Sequence, residues 1–266
     1  MEWRGGFRYC SQGRDDVGPD ADQGRSPGVK ALLIHAHSEG DSFVTAMRDR
    51  IERTLVAGGA GVAHSDLHAM GFNPVLSAAD FGERAAPDHL TYALEQRHGF
   101  ANRTLAPDIL AEVDKVLAAD LLVFTFPLYW FDVPAILKGW IERVFLSGPF
   151  YGGKRVYGRG GLVGKRAFAA FSLGGRAHMF GPGALHGELT MGMMRSFFQG
   201  TLGYVGLSVH EPFIAHHVPY VDDAARRAML DDLADGVRTL ATRPLLAMPD
   251  LARFDETFHP LQGDRP

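Results

Sequence analysis

Three short stretches of this 266-residue sequence hold side chains able to do chemistry. The first is His37, Ser38, Glu39, Gly40, Asp41 and Ser42, ahead of Phe43 and Val44. Hydroxyls and backbone N–H groups just before a helix can cradle a phosphate, or can simply cap that helix. The stretch is neither a GxGxxG nor a Walker sequence, and His37 can equally be a solvated loop imidazole. The second is Pro127, Leu128, Tyr129, Trp130 and Phe131. Large aromatics at a strand end leave apolar surface in water unless a ligand, another loop or another subunit covers them. A flat ring is the ligand that suits them. The third begins Ser172, Leu173, Gly174, Gly175 and continues through Met179 and Phe180 towards His186. Two glycines let a flat ligand approach the backbone closely, though they also make an ordinary turn.

These loops need elements to hold them. Residues 121–126 (LLVFTF) are an unbroken apolar run that predicts a strand buried on both faces. Asp132 is the expected N-cap of the next helix, with Pro134 in its first turn. Ile136, Leu137, Trp140, Ile141, Val144 and Phe145 then recur at helical spacing, with Lys138, Glu142 and Arg143 on the other face. The same reading gives strands at 29–36, 62–67, 166–173 and 205–210, and helices at 42–58, near 89–98, and from Pro107. In the Pro107 helix Ile109, Leu110, Val113, Val116 and Leu117 form the inner face. Helical character is also expected over 186–202 and 221–240. Strands alternating with helices predict an α/β fold, a five-stranded doubly wound parallel sheet in a three-layer sandwich. In such a sheet the three stretches lie side by side at the carboxyl edge, where ligands bind. The chain divides into a disordered extension (1–28), one domain (29–240) and an irregular tail packed on the domain or a partner subunit (241–266).

Composition narrows the field. Hydrophobic residues are 46% and charged residues 22% of the chain, and the net charge is −4. Such a balance gives no argument for nucleic acid. Cys10 is the one cysteine, which excludes disulfides and cysteine-based metal clusters within one chain. A cytoplasmic setting follows as the default. No stretch reaches the roughly 18 apolar residues of a membrane span, and no signal-peptide pattern opens the chain. HExxH and GxSxG are absent, and His216-His217 lacks other obvious metal ligands.

Four segments together carry a family resemblance: ALLIHAHSEGDSF (31–43), HSDLHAMGFNPVLSAADF (64–81), FPLYWFDVPAILKGWIERVF (126–145) and LGG…MF…HGE (173–188). They resemble the NAD(P)H:quinone oxidoreductases, the animal-type quinone reductases and their bacterial relatives. The resemblance implies a flavodoxin-like fold, a homodimer, and bound flavin, FAD rather than FMN. It also implies two-electron, ping-pong hydride transfer from NAD(P)H to a quinone. On that basis His37, Ser38, Ser42, Phe43 and Val44 match the segment at the flavin phosphates. Pro127 to Phe131 match the loop beside the ring, and Ser172 to Gly175 its other wall. Arg226 matches a position near the adenosine half. Trp130, Phe131, Tyr151, Met179 and His186 match the pocket for nicotinamide and quinone. His186 is the expected proton donor. Phe180 stands where the family usually has a tyrosine, and Gly153 where it has a second pocket tyrosine. Alternative readings are a regulatory flavoprotein subunit of a potassium-efflux-type transporter, an FMN-dependent azo- or nitroreductase, and an empty fold serving as an interaction module.

Overall fold

In the computed structural model, residues 28–261 are described. The expectation for 1–28 therefore falls, but for Gly28, outside them. A parallel sheet forms the centre, with strands β1 (Lys30–His35), β2 (Gly61–Asp66), β3 (Leu121–Pro127), β4 (Arg166–Ser172), β5 (Ser208–Val209) and β6 (Phe213–Ala215). The order is β2-β1-β3-β4-β5, with β6 also pairing β4. Every pairing is parallel. The reversal of strand order between β1 and β3 is the switch point that opens a crevice in such sheets.

Alternation along the strands explains why their sequences read as continuous apolar runs. Leu32, Ile34, Leu122, Phe124, Phe126, Ala169 and Phe171 enter one core layer, with side chains of α3 (Pro107–Ala118) and α4 (Ala135–Val144). Ala31, Leu33, Leu121, Val123, Phe168 and Ala170 enter the other, with α1 (Phe43–Ala57) and α6 (Asp223–Arg238). The remaining helices are α2 (Tyr92–Asn102) and the single-turn α5 (Arg195–Phe197).

Several local expectations need correction. Asp132 does not cap α4; Pro134 holds the N-cap position, and the Asp132 carboxylate accepts from the Val133 N–H at 2.8 Å. Arg143 is not on a solvent face. It is buried against Asp80, at 2.8 Å, and also holds Asp108, at 2.6 Å. Leu117, assigned to the inner face of α3, is exposed. The 186–202 region is two π-helical turns flanking α5, not one α-helix. The last strand starts at Ser208, not Val205, and breaks around Pro212 into β5 and β6. Proline has no N–H for a sheet ladder and is tolerated at an edge.

The layer behind the aromatic loop is fixed by polar groups as well as packing. Glu112 is fully buried and accepts from Ser65 Oγ (2.6 Å) and Trp140 Nε1 (2.8 Å), while Lys115 Nζ lies at 2.6 Å. A buried carboxylate so satisfied ties β2, α3 and α4 together. At Gly139 an added Cβ would lie 2.1 Å from the Pro74 carbonyl oxygen, so the 73–76 segment presses directly on α4.

Candidate active site

The loop after β3 reverses tightly. Tyr129 N–H donates to Asp132 O and Asp132 N–H to Tyr129 O, both at 3.0 Å. The two residues between, Trp130 (φ 52°) and Phe131 (φ 59°), are both left-handed. Paired hydrogen bonds around two positive-φ residues make a type I′ turn, normally an Asn-Gly or Asp-Gly site. Two bulky aromatics there cost about 1–2 kcal/mol each. Such strain persists where the surroundings hold it, and it clusters at functional sites. The turn leaves Trp130 97% exposed, while Phe131 is half-buried against the core.

Across from this turn stands the loop after β4. Leu173 N–H donates to Ala215 O (3.0 Å), and Val218 N–H donates to Leu173 O (3.2 Å). The N–H groups of Gly174 and Gly175 have no partner among the described residues. Phe180 lies on Gly175: a Cβ there would meet the phenyl ring at 2.9 Å. A 3₁₀ turn, Ala177–Met179, carries the chain to Phe180, and His186 N–H donates to Met179 O at 2.9 Å. The ring centroids of His186 lie 5.2 Å from Phe180 and 5.3 Å from Phe131. Together Leu128, Trp130, Phe131, Leu173, Gly174, Gly175, Phe180 and His186 line a cleft of about 260 Å³. Apart from the imidazole, its side chains are apolar.

The stretch after β1 lines a second hollow, of about 390 Å³. Ser42 caps α1, its Oγ accepting from Thr45 N–H at 3.1 Å. At that helix start the N–H groups of Phe43 and Val44 have no partner among the described residues, the usual condition of a helix N-terminus that can receive an anion. Glu39 works against this. Its carboxylate already accepts from Asp41 N–H at 3.1 Å, and Asp41 adds a second negative charge. His37 Nδ1 accepts from Glu39 N–H at 3.0 Å, so its proton is on Nε2. Burial lowers the His37 pKa, helped by His68.

The structure thus brings together eight of the expected residues, Leu128, Trp130, Phe131, Leu173, Gly174, Gly175, Phe180 and His186. His37 and Ser38 stand in the separate hollow. Tyr129 is exposed outside the cleft, and Pro127 and Ser172 end their strands beneath it. Met179 acts locally, its sulfur accepting from Arg176 N–H at 3.3 Å. Tyr151 packs against Tyr204, their tilted rings 5.7 Å apart, and burial raises its pKa. Arg226 is engaged by Val218 O (3.1 Å) and Asp223 (2.9 Å).

Sequence reading missed His35, which is buried between Thr125 Oγ1 (2.8 Å from Nδ1) and Thr45 Oγ1 (3.3 Å from Nε2). Burial lowers its pKa to about 4, with Arg48 adding to the effect. A histidine inside a strand run (LLIHA) was its one signal. His216 and His217 were also missed as neighbours of the double glycine. His217 Nδ1 lies 3.0 Å from Gly174 O, and His216 lies 5.8 Å from the Phe180 ring.

Comparison with known proteins agrees with the fold. Residues 29–237 match the model of a family described as flavodoxin-like fold. NAD(P)H dehydrogenase (quinone) 1 of Rattus norvegicus is 34% identical over 230 residues, covering 86% of this chain and 84% of the rat protein. Ribosyldihydronicotinamide dehydrogenase (quinone) of Mus musculus is 34% identical over 214 residues, 80% of this chain and 92% of the mouse one. A crystal structure assigned as a quinone reductase, from Klebsiella pneumoniae, superposes with TM-score 0.78 at 32% identity, covering 87% of this chain and 90% of that one.

Proposed function

We propose that this chain, which belongs to the flavodoxin-like NAD(P)H:quinone oxidoreductase family, is a flavin-dependent enzyme passing two electrons from NAD(P)H to a quinone. The observation that carries the reading is the cleft between the loops after β3 and β4, with aromatic walls and two free backbone amides at Gly174 and Gly175. Those residues fit a flat heteroaromatic group: stacking surface from Trp130 and Phe131, and donors for its polar edge. The free amides of Phe43 and Val44 suit its phosphates, with FAD the form expected. A bound flavin supplies the capacity to take and return a hydride.

The chain's own residues do the rest. Trp130 and Phe131 line the cleft, and a ping-pong sequence needs NAD(P)⁺ to leave it before the quinone enters. His186, half-buried beside Phe131 and Phe180, can place a ring N–H on the oxygen of a bound quinone and return a proton to it. Phe180 packs but cannot donate. Proton supply at this wall therefore rests on His186. The exposure of Trp130 suits cover by a second copy of the chain, a homodimer, and the described helices include none long and apolar enough to cross a membrane. A cytoplasmic enzyme is the simplest setting.

The missing hydroxyl at Phe180 favours one second reading, a slow flavoprotein that regulates a transporter. Purification decides between them. The expected protein is yellow, releases FAD on denaturation, and reduces menadione with NADH or NADPH. A colourless protein that takes up no flavin sinks the proposal. A flavin-loaded protein without turnover that co-purifies with a transporter supports the second reading.

A further inference from the structure

We propose that His217 is a positioning residue of the cleft, setting through the Gly174 carbonyl how strongly the next peptide N–H donates to a bound flavin. The inference rests on the flavin reading above.

The Gly174 carbonyl and the Gly175 N–H are two ends of one peptide group. His217 Nδ1 lies 3.0 Å from the carbonyl oxygen. A carbonyl only accepts, so Nδ1 carries the proton and donates. At the other end the Gly175 N–H has no partner among the described residues, and Gly175 lines the cleft. Hydrogen bonds in series polarise one another. Donation to the oxygen therefore makes the N–H at the other end a stronger donor. A fixed donor aimed where negative charge grows favours the charged state without reorganisation. On reduction a flavin gains electron density at its polar edge, so a stronger Gly175 donor favours the reduced form.

The surroundings hold His217 to this task. Its backbone N–H donates to Gly175 O at 2.9 Å, closing the loop after β6 onto the double glycine. Its φ of 59° is left-handed, which a side chain other than glycine adopts at a cost. Tyr220 covers the imidazole, with ring centroids 4.8 Å apart, and would lie 3.7 Å from a Cβ on Gly174. His216 stands beside it, its Nδ1 buried without a partner. The double glycine is thus held from behind by His217, which does not itself line the cleft.

The test is the midpoint potential of bound flavin in the full chain, for wild type, His217→Gly, His217→Ala and His217→Asn. Glycine keeps the left-handed backbone without the donor. Asparagine tolerates that backbone and supplies an amide N–H. Both donor-less variants should favour reduced flavin about tenfold less than wild type does, a fall of about 30 mV for a two-electron couple. The flavin absorption band should shift with it, and asparagine should recover most of both changes. Alanine serves where glycine loosens the loop, and thermal melts identify any variant that fails to fold. A potential unchanged in whichever donor-less variant folds, or lowered equally in the asparagine variant, overturns the inference and leaves the flavin reading standing. Wild-type protein that takes up no flavin overturns both.

Discussion

Phe180 and His186 sit ring to ring at 5.2 Å, and only one of them can handle a proton. His186→Ala should therefore lower menadione turnover by about 10²-fold or more, the usual worth of a positioned acid, with flavin content unchanged. Stopped-flow reoxidation by quinone checks this, and an unaltered rate removes His186 from the chemistry. Phe180→Tyr should act in the other direction, adding a hydroxyl donor to the same wall and raising turnover. The opposite trade is expected at Trp130. Asparagine suits a left-handed backbone, so Trp130→Asn should stabilise the chain by about 1 kcal/mol while weakening the binding of flat ligands. Chemical denaturation and ligand titration read the two effects separately. A variant less stable than wild type would show that the turn is not strained.

At the scale of elements, His35 joins β1, β3 and α1 through two threonine hydroxyls. Its folded pKa of about 4 lies below the unfolded 6.5, so the unfolded chain binds the extra proton first. Its contribution to stability is whole above pH 6.5 and is lost as pH falls towards 4, by about 3 kcal/mol at the limit. His37, His210 and His216 are also lowered by burial and act in the same direction. Urea melts between pH 7.5 and 5 should show the decline, and His35→Asn should flatten it. Gly139→Ala drives a Cβ into the Pro74 carbonyl and should cost about 1–3 kcal/mol. The parallel sheet was legible because β1, β3 and β4 are apolar on both faces, and α1 because Ser42 caps a four-residue apolar spacing. Arg143 was misread because its partner Asp80 lies 63 residues away, where no local period reaches. The 186–202 region misled because its π-helical turns, with α5 between them, bury Leu189, Phe197, Phe198 and Leu202 at spacings close to those of an α-helix. His217 was invisible for a related reason. Its partner is a backbone carbonyl, which leaves no mark in side-chain composition.

For the whole molecule, one open face of the cleft and a nearly bare indole beside it predict self-association. Sedimentation velocity should give a dimer at micromolar concentration, and a monomer would leave the aromatic turn without a cover. Sequence resemblance drew all eight cleft residues together, because the loops that build the cleft follow regular strands. It also assigned Tyr151 and Arg226 to the same function, and within one chain these stand elsewhere, on Tyr204 and on Val218. Cover by a second copy is the arrangement in which Tyr151 could still meet a ligand. The bare indole has an optical consequence. The described tryptophans are Trp130, 97% exposed, and Trp140, fully buried in the core. Their emission should separate into a long-wavelength, water-relaxed component and a short-wavelength, apolar one. A ring seated in the cleft should quench the first before the second, so the protein carries an intrinsic fluorescent gauge of its own occupancy.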